Sequence, residues 1–439
     1  MSSNAILASN QCSGCGVCVA LCPQGCIVME ATDEGGWRAV KDSSCIDCGI
    51  CRKICWSQSN KELSNDSRKD DELCFAGHAK NASFRWNGAS GGCTTAFLLE
   101  LFQRNLVSQV ACVKNTNSNE RLFEYLLASN EKEILECQKS AYYPTEISDV
   151  LRQVRDGETK TAIVGLPCVC HSIRNAMRRD AKLRKNIFCI VGLVCGQMKS
   201  RHYTDYLLNR IGITNAPCHI SFREKNTAHH ANDFAFHATD GHKCDSLFWL
   251  EGVAQIYMSG MFKLEACFHC TDVFADSADI VFMDAWLPEF SASPEGNNII
   301  ISRRTDLTSI LETSSSLELS QIIKEKVLQS QAGVIELKQT MSEENLAVKS
   351  QSWNPFVRSE AQALSRLSSN YKAIAHLSNR LWANGIRGKQ FDAACKKLLE
   401  EQYRIKGCLT LFRKIQKFVC HPLRTLSHVM AAQIKRILP

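Results

Sequence analysis

Residues 161–168 read Thr-Ala-Ile-Val-Gly-Leu-Pro-Cys, and residues 187–195 read Ile-Phe-Cys-Ile-Val-Gly-Leu-Val-Cys. Each is a short apolar run rich in β-branched residues that ends in glycine, the pattern of a buried strand. Between them, "HSIRNAMRRDAKLRK" (171–185) has the spacing of an amphipathic helix. Strand, helix and strand at this separation predict a right-handed βαβ unit with two parallel strands. In such sheets ligands collect beyond the carboxyl ends of the strands. The repeated Gly-Leu-x-Cys therefore puts Cys168 and Cys195 side by side on the functional edge. A Cys267-x2-Cys270 pair follows later in the chain. Two strand-end thiols and one such pair can ligate a 4Fe–4S cluster. A structural zinc is the competing occupant. For Cys168 and Cys195 taken alone, burial as small side chains is the alternative.

The N-terminus carries the same chemistry more plainly. Cys12-x2-Cys15-x2-Cys18-x3-Cys22-Pro23 is followed by Cys45-x2-Cys48-x2-Cys51-x3-Cys55-Trp56. This is the spacing of a bacterial two-cluster ferredoxin. Three thiolates on one tight loop take three corners of a 4Fe–4S cube, and the fourth, at the start of a short helix, ligates the other cube. Cys12, Cys15, Cys18 and Cys55 are thus expected to hold one cluster, and Cys45, Cys48, Cys51 and Cys22 the other. Zinc is again the alternative. Cys26 fits no ligand position and reads as a small buried residue. The polar stretch 57–72 reads as the linker out of this module.

The chain has 439 residues, 24 of them cysteine, with 45% hydrophobic and 22% charged content. That length allows several domains and a large core. So many cysteines in a long chain point to metal or redox work rather than a disulfide framework. No apolar run reaches the ~18 residues of a membrane helix. The opening "MSSNAILASNQC" has neither a basic nor an apolar signal region, so a cytoplasmic protein is expected. The net charge of +7 is uneven, because Arg404–Pro439 alone holds eight Lys or Arg and no acid. A basic tail is indicated, not a nucleic-acid-binding surface.

Asn87-Gly-Ala-Ser-Gly-Gly92 precedes "CTTAFLLELF", which is spaced as a helix. A glycine-rich turn feeding a helix N-terminus offers free N–H groups to an anion such as the pyrophosphate of FAD. A plain serine N-cap is the alternative. Ser140 and Tyr142, in Lys139-Ser-Ala-Tyr-Tyr-Pro144, and Arg223 and Lys225, in Phe222-Arg-Glu-Lys225, add hydroxyls, a ring and cations; an ordinary surface loop is the other reading of each. Cys74, Cys93, Cys112, Cys137, Cys170, Cys189, Cys218, Cys244, Cys395, Cys408 and Cys420 show no ligand spacing and are expected to be packing residues.

In this order the chain resembles the beta subunit of coenzyme F(420)-reducing hydrogenase and dehydrogenase. The resemblance spans roughly 1–310 and is carried by Ala89-Ser-Gly-Gly92, Ser140-Ala-Tyr142, Gly165-Leu-Pro-Cys168, Gly192-Leu-Val-Cys195, Phe222-Arg-Glu-Lys225, Cys267-x2-Cys270, Ala278-Asp-Ile280 and Asp284-Ala-Trp286. It implies a flavoprotein with iron–sulfur clusters that exchanges hydride at FAD and single electrons through the clusters. It also implies that Ser90, Gly91, Gly92, Ser140 and Tyr142 face the flavin and that Cys168, Cys195, Cys267 and Cys270 hold a third cluster. Met283 and Ala141 depart from the family pattern, which often has glycine and a basic residue there, and Trp56 replaces the usual proline after the fourth cysteine of the ferredoxin-type run. Asp284 and Lys225 are candidates for moving protons, with a salt-bridged structural role as the alternative.

The expected architecture is a mixed α/β core with an N-terminal ferredoxin-like domain and a helical C-terminal extension. Its segments are a two-cluster module (1–60), a flavin-binding part (73–155), a part with the third iron–sulfur site (156–325) and a basic extension (326–439). In "LELSQIIKEKVLQSQAGVIEL" (317–337) and "FDAACKKLLEEQYRIKG" (391–407) the apolar residues recur with helical period. The last stretch, 408–439, is basic and amphipathic and interrupted by Pro422. It suits an anionic membrane surface at the inner face of the membrane, an acidic partner, or a helical cap. The function expected is an iron–sulfur flavoprotein oxidoreductase working with a redox partner protein or a small-molecule reductant. The alternatives are an electron-relay subunit of a larger complex, including one linked to membrane-associated polysaccharide synthesis, and a zinc-stabilised interaction protein without flavin.

Overall fold

The computed structural model describes residues 6, 11–59, 72–116, 118 and 121–420. Most of the expected linker, most of the first ten residues and the tail beyond 420 lie outside the described residues. The strands, in chain order, are β1 (Ile27–Ala31), β2 (Trp37–Lys41), β3 (Leu73–Ala79), β4 (Gln109–Asn115), β5 (Phe123–Ala128), β6 (Thr161–Gly165), β7 (Ile187–Leu193), β8 (His219–Glu224), β9 (Ala235–Thr239), β10 (Cys244–Phe248), β11 (Ile280–Asp284), β12 (Asn298–Ser302) and β13 (Leu317–Ile322).

Eight strands form the main sheet in the order β13-β3-β12-β11-β7-β6-β4-β5. The inner four, β4, β6, β7 and β11, are parallel. Antiparallel strands flank them on both sides. β6 and β7 are neighbours, with Ile163 opposite Ile190 and Gly165 opposite Gly192. The two Gly-Leu-x-Cys repeats therefore leave the sheet next to each other. Both faces of the inner strands are apolar, as a covered parallel sheet requires. One face packs Ile163 and Ile190 on Val150, Leu151, Val169 and Ile173 of the helices Ser148–Asp156 and Pro167–Arg179. The other packs Ala162, Val191 and Phe282 on Phe97, Leu101 and Leu307 of the helices Cys93–Gln103 and Thr305–Glu312.

The helix between β6 and β7 starts earlier than its polar periodicity suggests. Pro167 occupies its first turn, where a missing N–H is tolerated, so Cys168 sits on the helix and not in a loop. It ends at Asp180, whose carboxylate accepts from the Leu183 N–H at 3.0 Å and caps a second short helix, Ala181–Asn186.

The two glycines serve close approach. A Cβ on Gly165 would meet Val169 Cγ1 at 3.1 Å, and one on Gly192 would meet the Ala275 and Ala278 methyls at 2.6 and 2.8 Å. Gly192 thus admits the segment that follows Cys270 against β7.

The N-terminal module consists of the β1–β2 hairpin and two short helices, Val17–Ala20 and Ile50–Ile54. Val17, Ala20 and Ile54 belong to the same buried cluster as the helix Pro167–Arg179. Polar contacts seal the joint. Ile147 N–H donates to Cys15 O at 3.0 Å, Trp56 N–H to Ser172 Oγ at 3.2 Å, and Asn175 Nδ2 to Ser59 Oγ at 2.9 Å. His171 Nε2 lies 2.9 Å from Ser59 Oγ.

Beyond the sheet, β8, β9 and β10 form a small antiparallel sheet. It shares a cluster with the helix Arg201–Arg210 and with two long C-terminal helices, Pro355–Ala383 and Gly388–Cys420. Tyr206, Phe262, Trp382 and Phe391 lie there at ring separations between 5.3 and 6.0 Å.

Two expectations are corrected. Residues 317–322 form not a helix but the edge strand β13, paired with β3, because Leu317 and Leu319 alternate with polar residues; helix begins at Lys324. Among the cysteines expected to pack, Cys74, Cys93, Cys112, Cys170, Cys189 and Cys395 are buried and Cys137 is partly so, but Cys218, Cys244 and Cys408 are exposed. The Cys420 side chain lies outside the described residues. Cys26 is buried, as expected.

Gly192→Val should cost about 1–3 kcal/mol, the usual range for forcing extra methyls into a filled core. The denaturant midpoint measures it, and an unchanged midpoint would contradict the close approach. A second test uses pH. Burial, and then Arg178, push His171 down to about 4 from the ordinary 6.5. The unfolded chain takes up this proton first, so stability falls as pH drops from about 6.5 towards 4 and is unaffected by His171 above that window. In His171→Gln the difference in denaturant midpoint between about pH 7.5 and about pH 5.5 should shrink.

Candidate functional site

A cavity of about 620 Å³ lies across the carboxyl ends of β4, β6, β7 and β11, lined among others by Val113, Gly165, Val194 and Asp284. Its volume is within the range of roughly 300–1,000 Å³ usual for cofactor and ligand pockets. Three groups of sequence-singled residues meet at it.

The first is the set Cys168, Cys195, Cys267 and Cys270, all four of which line the cavity. They arrive from the first turn of the helix Pro167–Arg179, from the turn after β7, and from the short 3-10 helix Glu265–Phe268 with the loop after it. Burial pushes the Cys168 thiol well above its ordinary range, with further contributions from Cys15, Cys270, Cys195 and Cys267. Cys195 is pushed to about 12 by burial, opposed by the charge of Lys338. Cys267 is raised by burial and eased by Lys263 and by the Met198 N–H, which donates to its sulfur at 3.3 Å. Thiolates in such a place need a bound metal centre to persist. The donor set therefore fits a thiolate-ligated group. Among the described residues no three His, Cys, Asp or Glu side chains converge on a single ion position, so the thiols form a group that shares a wall and its electrostatics, not a closed shell.

The second group comes from the N-terminal module. Cys15, Ser13 and Trp56 line the same cavity. Cys12, Cys15, Cys18 and Cys55 also line a small adjoining cavity of about 20 Å³ with Ser172, and Cys51, expected in the other ligand set, lines it too. Cys15 is pushed to about 12 by burial and then by Cys55 and Cys12. Cys51 is raised by burial and by Cys48 and Cys45. Cys22 Sγ lies 3.4 Å from Cys26 Sγ, and Cys26 feels Cys45. Within the module Cys15 thus stands on the side of the large cavity, while Cys48 is exposed.

The third group is the glycine turn. Ser90 and Gly92 line the cavity, and Gly92, at φ 75°, is the N-cap of the helix Cys93–Gln103. Ser90 is not the cap, since its hydroxyl donates to Asn297 O at 2.5 Å. Asn298 Oδ1 takes the Cys93 N–H at 3.1 Å. Gly91 stands behind the turn, where a Cβ would meet Asn298 N at 2.8 Å.

Ser140, Tyr142 and Arg223 line the cavity with Asp284 and Trp286. Arg223 is buried and grips Asp284 with two hydrogen bonds of 3.0 and 3.1 Å. It also donates to Tyr142 Oη at 3.3 Å and stacks on Phe234 at 3.8 Å. Burial opposes its charge but Asp284 outweighs that, so it stays firmly cationic. Its Nε is buried without a partner. Asp284 is therefore salt-bridged. Lys225 is held behind the turn by Arg85 O, Ser90 O and Glu295 O at 2.5, 2.6 and 2.7 Å. Burial, and then Arg223, push it down to about 7. It braces the loop and does not line the cavity. A glycine-capped helix start, a buried arginine nitrogen without a partner and aromatic walls fit an anionic, aromatic cofactor such as FAD.

Other cavity residues carry no sequence motif. Cys112, Cys137, Trp249, Tyr257, Gln331 and Lys338 are brought in by the fold alone.

The parallel edge of this α/β sheet gathers thiols and a glycine-capped helix over one cavity, the usual place for a ligand in such a sheet. Family models described as coenzyme F420 hydrogenase/dehydrogenase, beta subunit, match the chain over residues 74–152 for the N-terminal part and 158–326 for the C-terminal part. Together they take in more than half of it, and the chain belongs to that family. It is similar to one subunit of the F(420)H(2) dehydrogenase of Methanosarcina mazei, 26% identical over 219 residues, 47% of this chain and 58% of that protein. It is also similar to the coenzyme F420-dependent sulfite reductase of Methanocaldococcus jannaschii, 23% identical over 345 residues, 73% of this chain and 49% of that protein. The chain thus spans about half the length of these relatives. A chain of the xenon-derivatised F420-reducing NiFe hydrogenase complex of Methanosarcina barkeri superposes with a TM-score of 0.48 at 14% identity, over 63% of this chain and 92% of that one.

Asp284→Ala would leave Arg223 buried without its counter-charge, which costs about 3–5 kcal/mol when a buried pair loses one member. Asp284→Asn should cost less, and Asp284→Ala with Arg223→Met should recover part of the loss in a double-mutant cycle. Additive losses measured by denaturant unfolding would contradict the pairing.

Proposed function

We propose that this chain is an iron–sulfur flavoprotein oxidoreductase that moves electrons between ferredoxin-type clusters, FAD and coenzyme F420 or another small-molecule reductant. The observation that carries the reading is the shared cavity, where Cys15 of the N-terminal module and Cys168 of the four-thiol set line one wall. In this reading Cys22, Cys45, Cys48 and Cys51 hold the outer cluster, with Cys48 at the surface. Cys12, Cys15, Cys18 and Cys55 hold the inner one. Cys168, Cys195, Cys267 and Cys270 hold the third.

Ser90 and Gly92 present backbone at the helix start to a phosphate, with Gly91 supporting the turn from behind, while Ser140, Tyr142 and Arg223 face the rest of the cofactor. Lys225 keeps the turn in place. A flavin bound there would join two-electron hydride chemistry to the single-electron steps that clusters carry. The aromatic wall of Tyr142, Trp249, Tyr257 and Trp286 keeps water from the reacting edge.

One similar protein is a component of a dehydrogenase built from several subunits, which favours a second reading, an electron relay within a larger complex. Reoxidation of the reduced chain by a small molecule, without a partner protein, separates the two. The basic end of the chain is proposed to contact an acidic partner or an anionic membrane surface. Among the described residues no helix is long and apolar enough to cross a membrane.

The test is iron, sulfide, zinc and flavin per chain after strictly anaerobic purification. About twelve irons with one FAD are expected, and about eight irons in Cys168→Ser. Zinc in place of iron, no flavin in a fully loaded preparation, or an unchanged iron content in Cys168→Ser would each overturn part of the assignment.

A further inference from the structure

The family match ends at residue 326, yet the chain beyond it walls the cavity. Ser330, Gln331, Val334 and Lys338 all line it. This segment is anchored to the end of β11, since Gln331 Nε2 donates to Asp284 O at 2.9 Å. At its far end Gln339 Nε2 donates to Thr271 O at 3.3 Å.

Lys338 lies between these anchors and is 5% exposed. Its ammonium donates to Cys195 O at 3.1 Å and to Asp272 O. These two carbonyls belong to different thiol-bearing segments, the turn after β7 and the loop after Cys270. One cation therefore ties the two segments together. It also stands close enough to Cys270, Cys195 and Cys267 for all three to favour its charge.

A second buried lysine, Lys263, lies on the Cys267 side and rests over the Phe268 ring at 4.0 Å. Lys199, wholly buried, gives its hydrogen bonds to Tyr257 O and Met261 O at 2.9 and 2.7 Å. The Asp272 carboxylate feels Lys338 but accepts its hydrogen bonds from the Asp276 N–H. The hydrogen-bond acceptors of Lys199 and Lys338 are backbone carbonyls, not carboxylates. Buried ammonium groups are costly unless an anion offsets them. Four thiolates around an iron–sulfur cluster would be such an anion, and nothing of that charge is needed if the thiols stay neutral.

We propose that Lys338 is a positioning residue for the centre held by Cys168, Cys195, Cys267 and Cys270: it joins the two ligand-bearing segments and, as a fixed positive charge, eases reduction of that centre. The inference rests on the third-cluster reading. It makes the C-terminal extension part of the redox site and not a detachable cap. A positive charge beside a cluster stabilises its reduced, more negative form and so raises its midpoint potential. Its loss lowers that potential.

The test compares the full chain with Lys338→Met, which keeps length without charge or donors, and Lys338→Arg, which keeps both. Iron per chain and a redox titration followed by electron paramagnetic resonance are the readouts, with Cys168→Ser marking which signal is the third cluster. In Lys338→Met that signal should shift to lower potential, or be lost with about four irons, while the other two clusters keep their midpoints. Lys338→Arg should hold the cluster near its original midpoint. An unaltered signal in Lys338→Met, or a Lys338→Arg variant that behaves like Lys338→Met, overturns the role of Lys338. Unchanged iron in Cys168→Ser overturns the cluster reading itself, a different result from either.

Discussion

The parallel register of β6 on β7, with Gly165 opposite Gly192, is the constraint on which the rest of the site depends. It brings Cys168 and Cys195 out of the sheet at neighbouring positions. The missing Cβ on Gly192 then lets residues 275–278 lie against β7, and that segment leads back to Cys270. Arg303 holds it there through Ala275 O, Ala278 O and Phe274 O at 2.9, 3.2 and 3.2 Å. Asp279 completes the arrangement by accepting from the Ile190 N–H at 2.8 Å and from Arg174 at 2.6 Å. One strand pair, one glycine and two buried ionic residues thus gather four thiols from distant parts of the chain. Because parallel strands are covered on both faces, the gathering point can only be at the strand ends.

A single helix links that point to the N-terminal module. Pro167–Arg179 carries Cys168 in its first turn, presents Ser172 to Cys15 Sγ at 4.0 Å and to the Trp56 N–H, and reaches Ile54 O through Asn175 at 3.4 Å. Val169 and Ile173 of this helix lie in one apolar cluster with Val17 and Ile54. Each hydrogen bond adds only about 0.5–1.5 kcal/mol. The apolar burial supplies the affinity, and the polar contacts set the register. In the proposed reading, electron transfer depends on the separation of the two centres, and a helix that touches both thiol sets is the element that would hold it constant.

The strands 161–165 and 187–193, and the meeting of Cys168 and Cys195 beyond them, are legible in the sequence because period and spacing are local signals. The start of the helix at Pro167 is not, because its first turn is apolar on the core side and proline reads as a break. β13 reads as helix from the sequence. Leu319, Ile322 and Ile323 satisfy a short helical template while Leu317 and Leu319 satisfy an alternating one, and only the free edge of β3 decides between them. The exposed Cys218, Cys244 and Cys408 show that lack of ligand spacing does not imply burial. Lys338 is invisible in the sequence. It sits in a charged stretch with no motif, and its meaning comes from two carbonyls more than 60 residues away.

The cations of the site divide in a way that residue type alone conceals. Lys225 and Arg223 both stand in the motif that suggests phosphate binding. Lys225 spends its donors on three carbonyls of the loop, and Arg223 spends its fork on Asp284 and Tyr142. What they leave for an anion in the cavity is the helix start capped by Gly92. A helix N-terminus carries about half a unit of positive charge, which suits a phosphate that must be bound without being locked in place. On the opposite wall Lys338 stands beside Cys270, Cys195 and Cys267. In the proposed reading, positive charge is therefore distributed to two anionic groups of different kinds, a mobile phosphate-bearing cofactor and a fixed cluster. Only the second is served by a full charge, that of Lys338, buried with backbone carbonyls as its hydrogen-bond partners, because a permanently bound anion would be present whenever the protein is folded.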